Sequence, residues 1–151
     1  MKQIGVGLIG FGTVGAGVVE GLQRNHKLMA ERLGVDVVLK KIADVDVVKD
    51  RGVTVDPAIL TTDAMSVIND PEIKIVVELI GGTGVAKVFV LAALNAGKAV
   101  VTANKKLLAE CGEEIFGTAE RNGVDIYFGA SVGGGIPIIR VLREGLAGNE
   151  I

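Results

Sequence analysis

The stretch Gly7-Leu8-Ile9-Gly10-Phe11-Gly12-Thr13-Val14-Gly15 decides the fold. Gly10, Gly12 and Gly15 spell G-x-G-x-x-G, and what flanks them gives the pattern its meaning. Ile4 to Ile9 ahead of it reads as a short buried strand. Behind it a long helix is expected to run to Leu33, with Gly34 in the position of a C-terminal cap glycine. Val14, Val18, Leu22, Met29 and Leu33 fall on one face of that helix at roughly helical spacing.

A strand, a glycine turn and a helix N-terminus in that order form an anion cradle. Gly10 permits the tight turn, Gly12 lets backbone approach a pyrophosphate, and Gly15 lets the helix pack on the strand. The first-turn N–H groups and the helix dipole then face the phosphates. Phe11, Thr13 and Val14 complete the turn. A glycine-rich turn packed for its own sake is the alternative.

Further along, Asp36 to Ala43 reads as a second strand and Asp44 to Thr54 as loop. Asp56-Pro57 opens a short helix, and Thr62 or Asp63 caps another that stops at Asn69-Asp70-Pro71. Ile73 to Ile80 is the clearest strand, followed by Gly81-Gly82 and a helix from Val85 to Ala96. Ala99 to Thr102 is a strand, Asn104 caps a helix from Lys105 to Arg121, and Asp125 to Phe128 is the last strand. After Gly133-Gly134-Gly135, Pro137 starts a final helix to about Leu146. Alternation of this kind argues an α/β fold, a doubly wound parallel sheet of the Rossmann dinucleotide-binding type. The expected domain spans residues 1–131, with 132–151 opening a second one at the triple glycine.

Composition agrees. The chain has 151 residues, 49% of them apolar but only five aromatic, so Val, Ile, Leu and Ala must build the core. Glycine numbers 22, about twice its ordinary usage of roughly 7%. Sixteen basic against eighteen acidic residues leave no electrostatic footprint for nucleic acid. Lone Cys111 allows no internal disulfide, and a cytoplasmic setting is the expectation. Ile4 to Val19 superficially resembles a secretory signal, but six glycines interrupt it, and no stretch is long enough to span a bilayer.

Asp44 and Asp46, at the end of the second strand, can accept hydrogen bonds from ribose hydroxyls and repel a 2′-phosphate, which favours NAD over NADP. Lys49 and Arg51 offer the opposite preference, and Asp46 can equally be a solvated loop acid. Gly81 to Lys87 nearly spells a phosphate loop of the ATP-binding kind. However, Ala86 replaces its second glycine and Val88 its magnesium-binding hydroxyl, so that reading is rejected. Lys105 sits one residue inside a helix N-terminus, where the dipole disfavours a cation unless a ligand or partner answers it. That suits a group near proton and hydride transfer, while Lys106 beside it reads as a surface lysine. His26 reads as a solvated helix residue and Cys111 as helix packing. Glu78 is either a satisfied structural acid or a site residue.

Three longer stretches go beyond generic nucleotide-binding signals: Val77-Glu-Leu-Ile-Gly-Gly82, Val100-Val-Thr-Ala-Asn-Lys-Lys-Leu-Leu-Ala109 and Ala130-Ser-Val-Gly-Gly-Gly-Ile-Pro-Ile-Ile139. Together with Gly7 to Gly15, they resemble homoserine dehydrogenase across essentially the whole chain. The resemblance implies reversible NAD(P)-dependent oxidation of L-homoserine to L-aspartate 4-semialdehyde, on the route to threonine, methionine and isoleucine. It further implies a homo-oligomer, and a dimerisation and substrate domain beyond these residues that supplies the main Lys and Asp groups for proton transfer. The 151 residues are then expected to bind dinucleotide but to turn over homoserine poorly or not at all. By the same resemblance, Phe11, Gly12, Thr13 and Val14 form the phosphate turn, and Thr102 and Lys105 line the nicotinamide end. Backbone carbonyls of Val132, Gly134 and Ile136 match a monovalent-cation site, but Gly129 replaces the family's glutamate there, so sodium binding is in doubt. Thr83-Gly84-Val85 also departs from the family's acidic residue and proline. A semialdehyde dehydrogenase type and a non-catalytic dinucleotide sensor are the alternatives.

Overall fold

The computed structural model describes residues 1–148. Asn149 to Ile151, the end of the expected second domain, lie outside the described residues. Six strands, β1 (Lys2–Ile9), β2 (Val35–Ala43), β3 (Leu60–Thr61), β4 (Ile73–Glu78), β5 (Ala99–Thr102) and β6 (Ile126–Tyr127), form one sheet in the order β3-β2-β1-β4-β5-β6. Every pairing is parallel. This order, with its reversal between β1 and β4, is that of the two-halved Rossmann sheet. The helices are α1 (Thr13–Leu33), α2 (Ala64–Ile68), α3 (Gly84–Asn95), α4 (Lys105–Asn122) and α5 (Ile138–Arg140).

Alternate strand residues feed two cores, as the two-residue side-chain period of a strand requires. Val6, Leu8, Ile42 and Val77 pack with Val19 of α1 on one face. Ile9, Ala43, Val76 and Val100 pack with residues of α2, α3 and α4 on the other. Gly7 faces α2, and a Cβ there would overlap Val67, so the short helix lies close on the sheet.

Several boundaries differ from the sequence reading. α1 turns its Gly15–Val19 line inward, while Val14 and Leu33 are exposed, at 60% and 59%. The reason is close approach: a Cβ at Gly15 would overlap the Gly10 carbonyl, so the helix touches the sheet through its glycine rather than through Val14. β4 ends at Glu78 and not Ile80: after Leu79, whose N–H still donates to Ile9, the amides of Ile80 and Gly81 turn back onto the Glu78 carboxylate. The two-residue β3 escapes a periodicity argument altogether. Past Pro137, α5 is one turn long and passes into a π-helical turn, Val141–Gly145. The caps Asp63, Asn104 and Gly34 stand where the sequence puts them.

Candidate functional site

β1 ends at Ile9, and the chain turns at once into α1. Gly10 has φ +103°, and a Cβ on it would come within 2.7 Å of the Leu79 backbone. Its N–H donates to the Ala43 carbonyl at 2.8 Å, while the Leu79 N–H donates to the Ile9 carbonyl at 2.8 Å. The ends of β2, β1 and β4 are thus tied together around one glycine.

Gly12 stands at the N-cap of α1 with no side chain to cap the first turn, and no acidic residue lies in that turn. Its Cβ direction is open, with nothing within 4 Å. The unpaired first-turn amides and the positive dipole end therefore face an accessible space. A recess of about 410 Å³ lies there, lined by Gly12, Thr13, Gly17, Lys49, Arg51 and their neighbours. Thr13 and Val14 are exposed on the first turn of α1.

Phe11 behaves differently from its neighbours. Its ring is buried, and its N–H donates to Asp44 Oδ2 at 2.6 Å. The other oxygen of Asp44 accepts from the Asp46 N–H at 2.9 Å and lies 3.5 Å from the Arg51 guanidinium. Asp44 thus braces the glycine turn against the end of β2. Arg51 also donates to the Asp46 carbonyl at 3.0 Å, but its Nε is buried with no partner among the described residues. Asp46 accepts from the N–H groups of Val48 and Lys49, so it organises its own loop.

The second half of the site sits on β4 and β5. Ile9, Glu78 and Thr102 stand side by side in the last row of the sheet. Glu78 and Thr102 are each 1% exposed. Thr102 Oγ1 donates to Glu78 Oε2 at 2.7 Å and accepts from the Asn104 N–H at 3.0 Å. The Asn104 side chain accepts from the Leu107 N–H, capping α4, and donates to the Gly82 carbonyl at 2.7 Å. The Thr102 hydroxyl is therefore engaged inside the protein. Ser131 Oγ donates to the Thr102 carbonyl at 3.0 Å, which brings the segment just ahead of Gly133-Gly134-Gly135 to the same edge.

Lys105 is the first residue of α4 and is exposed with no carboxylate partner among the described residues; Lys106 reaches Glu110 at 3.8 Å. Val132, Gly134 and Ile136 lie on the loop after Ser131, and the Ile136 carbonyl accepts from the Ile138 N–H at 2.8 Å. Among the described residues no three His, Cys, Asp or Glu side chains gather as metal ligands. His26 pairs with Asp36 at 2.6 Å on the surface, and Cys111 packs against the core. A larger recess, about 760 Å³, flanks β6 beside Phe116 and Arg140, three strands from the glycine turn.

Sequence reasoning missed the Asp44 brace and the Asn104–Gly82 bond. Asx caps are recognisable from sequence, but which distant carbonyl their amide meets is decided only by the packing of β4 against β5.

A helix start without a capping side chain, with Lys49 and Arg51 lining the same recess, fits a phosphorylated ligand such as a dinucleotide. Comparisons with known proteins agree. The family described as "Homoserine dehydrogenase, NAD binding domain" matches residues 10–129. The homoserine dehydrogenases of Bacillus subtilis and Neisseria gonorrhoeae are each 46% identical over the whole chain, which spans 35% and 34% of their lengths. A crystal structure of a homoserine dehydrogenase from Thiobacillus denitrificans superposes with a TM-score of 0.91 at 47% identity, covering 99% of this chain and 34% of that one. The chain spans about a third of the length of the curated relatives it matches. No helix of the described residues is long and apolar enough to cross a membrane. By its strand order, its glycine turn and these matches, the chain belongs to the homoserine dehydrogenase family and carries that family's NAD-binding domain.

Proposed function

We propose that the chain binds a nicotinamide dinucleotide along the carboxyl edge of its sheet and serves the reversible oxidation of L-homoserine to L-aspartate 4-semialdehyde. The carrying observation is Gly12, whose open Cβ direction shares one space with the unpaired amides of α1. The pyrophosphate is assigned to Gly12, Thr13, Val14 and the neighbouring amides. Gly10 and Gly15 shape that turn, and Phe11 anchors it through Asp44. The bound cofactor supplies hydride transfer; the chain's own residues bind and orient it. Thr102 contributes backbone at the nicotinamide end, and exposed Lys105 contributes a cation there. The main proton-transfer groups are assigned to the part of the protein outside residues 1–131, with a domain boundary after Ser131. Exposed Ile136, Val141 and Leu142 in the segment that follows support that boundary. Homo-oligomerisation and a cytoplasmic site of action go with the whole protein. A monovalent cation is left out of the proposal, because the carbonyls of Val132, Gly134 and Ile136 have only Gly129 where a charged ligand is needed.

On cofactor choice, one observation favours a second reading. Asp44 is already engaged by the Phe11 amide, the Asp46 amide and Arg51. Lys49 and Arg51 line the recess beside α1. These cations support acceptance of NADP as well as the NAD that the acids alone suggest. Calorimetric titration of the chain with each dinucleotide tests both readings, and Arg51→Ala should weaken NADP more than NAD. Gly12→Val should weaken both roughly tenfold, a loss of about 1.4 kcal/mol, while leaving the melting temperature nearly unchanged. Unaltered binding in Gly12→Val would overturn the assignment. Efficient homoserine oxidation by these 151 residues alone would overturn the placement of the proton-transfer groups.

A further inference from the structure

Glu78 is a fully buried carboxylate with three neutral donors and no ion pair among the described residues. Its Oε1 accepts from the N–H groups of Ile80 at 2.9 Å and Gly81 at 3.3 Å, and its Oε2 accepts from Thr102. Burying an unpaired charge is costly even when hydrogen bonded. Holding the turn does not call for a charge, since a glutamine's carbonyl accepts from the same two amides and its amide can donate to the threonine oxygen. The charge therefore points to something outside the fold.

Its place is informative. Glu78 ends β4 on the far side of the switch point from the glycine turn, with its carboxylate bridging the Ile80–Gly81 turn and Thr102 at the end of β5. With a pyrophosphate over α1, the half-sheet β4 to β6 takes the nicotinamide end of a dinucleotide. The oxidised nicotinamide ring carries a positive charge and the reduced ring carries none. An unpaired anion beneath it in a poorly solvated site interacts with the first and not with the second.

We infer that Glu78 is a positioning residue whose unpaired carboxylate, anchored to the Ile80–Gly81 turn and to Thr102, makes this site favour the oxidised over the reduced dinucleotide. The inference rests on the dinucleotide-binding reading above. Its test compares affinities of this chain for the oxidised and reduced dinucleotide in the wild type and in Glu78→Gln. The ratio is expected to move roughly fivefold toward the reduced form in Glu78→Gln, whereas Glu78→Asp, which keeps the charge, should leave it within about twofold. A purely structural role would weaken both forms alike, and an unchanged ratio in a folded Glu78→Gln variant would overturn the inference. A second measurement needs no variant. The wild type should hold the oxidised dinucleotide several-fold more tightly than its benzamide analogue, whose ring has the same shape without the charge. Equal affinities would also overturn the inference. Failure of the wild type to bind any dinucleotide would instead overturn the reading on which it rests, and the inference with it.

Discussion

At the scale of single residues, buried polar groups do the joining that the apolar core cannot. Lys98 is 6% exposed and donates to the carbonyls of Asp70 at 2.7 Å and Ile73 at 2.6 Å. Burial pushes its ammonium below the ordinary lysine range, and the two carbonyls hold it in place. Lys98→Met should cost about 2–3 kcal/mol in urea unfolding, because two carbonyls lose a charged donor. Nearby, the Lys41 ammonium 3.0 Å away and the Glu72 N–H hold the Asp70 carboxyl below its usual value of 3.8. A carboxyl depressed in the folded state contributes stability above its unfolded pKa, and loses it as pH falls through the lower, folded value. Asp70→Asn should therefore be about 1 kcal/mol less stable than wild type at pH 7, with the gap closing below the 3.8 region. Equal denaturation midpoints at pH 7 would count against this pair.

Among the elements, the short α2 and the long α4 show how local signals and packing divide the work. Asp63 caps α2 through the Met65 N–H at 2.9 Å, and Asn104 caps α4 through the Leu107 N–H at 3.1 Å. Both caps were legible as Asx residues ahead of helical stretches. Asn104 does more, since its amide holds Gly82, which has φ +70°. Asn104→Ala should lower stability by about 1 kcal/mol in a thermal melt and also weaken dinucleotide binding. Asp63→Ala should show the first effect without the second. The face of α1 is legible only in part, for the converse reason: Leu22 packs on the core while Val14 and Leu33 are exposed. Periodicity identifies a run of apolar residues, but Gly15 decides which part of it touches the sheet.

The whole molecule presents a rigid centre and looser surroundings. β1 and β4 occupy the middle of the sheet and carry fully buried Leu8, Ile73 and Val76, whereas residues 44–56 are mostly exposed loop. Hydrogen exchange should be slowest in β1 and β4 and fastest in residues 44–56 and 132–148. Dinucleotide binding should slow the first group of loop amides selectively, because Lys49 and Arg51 line the recess at α1. Slow exchange throughout residues 44–56 without ligand would contradict this picture.

What the sequence by itself determined is the order of elements apart from the two-residue β3, the glycine turn between β1 and α1, the principal caps, and a family resemblance that the comparisons bear out. These are local: a few adjacent residues with special φ values, capping side chains or apolar periodicity suffice to specify them. Only the tertiary structure decided that Asp44 braces Phe11, that Glu78 and Thr102 are buried against each other, and that Lys98 joins two turns. Those contacts join residues roughly 25 or more positions apart, through side chains whose partners depend on strand order and register. Periodicity sets which face a residue occupies; the parallel pairing of β1, β4 and β5 sets what it meets there.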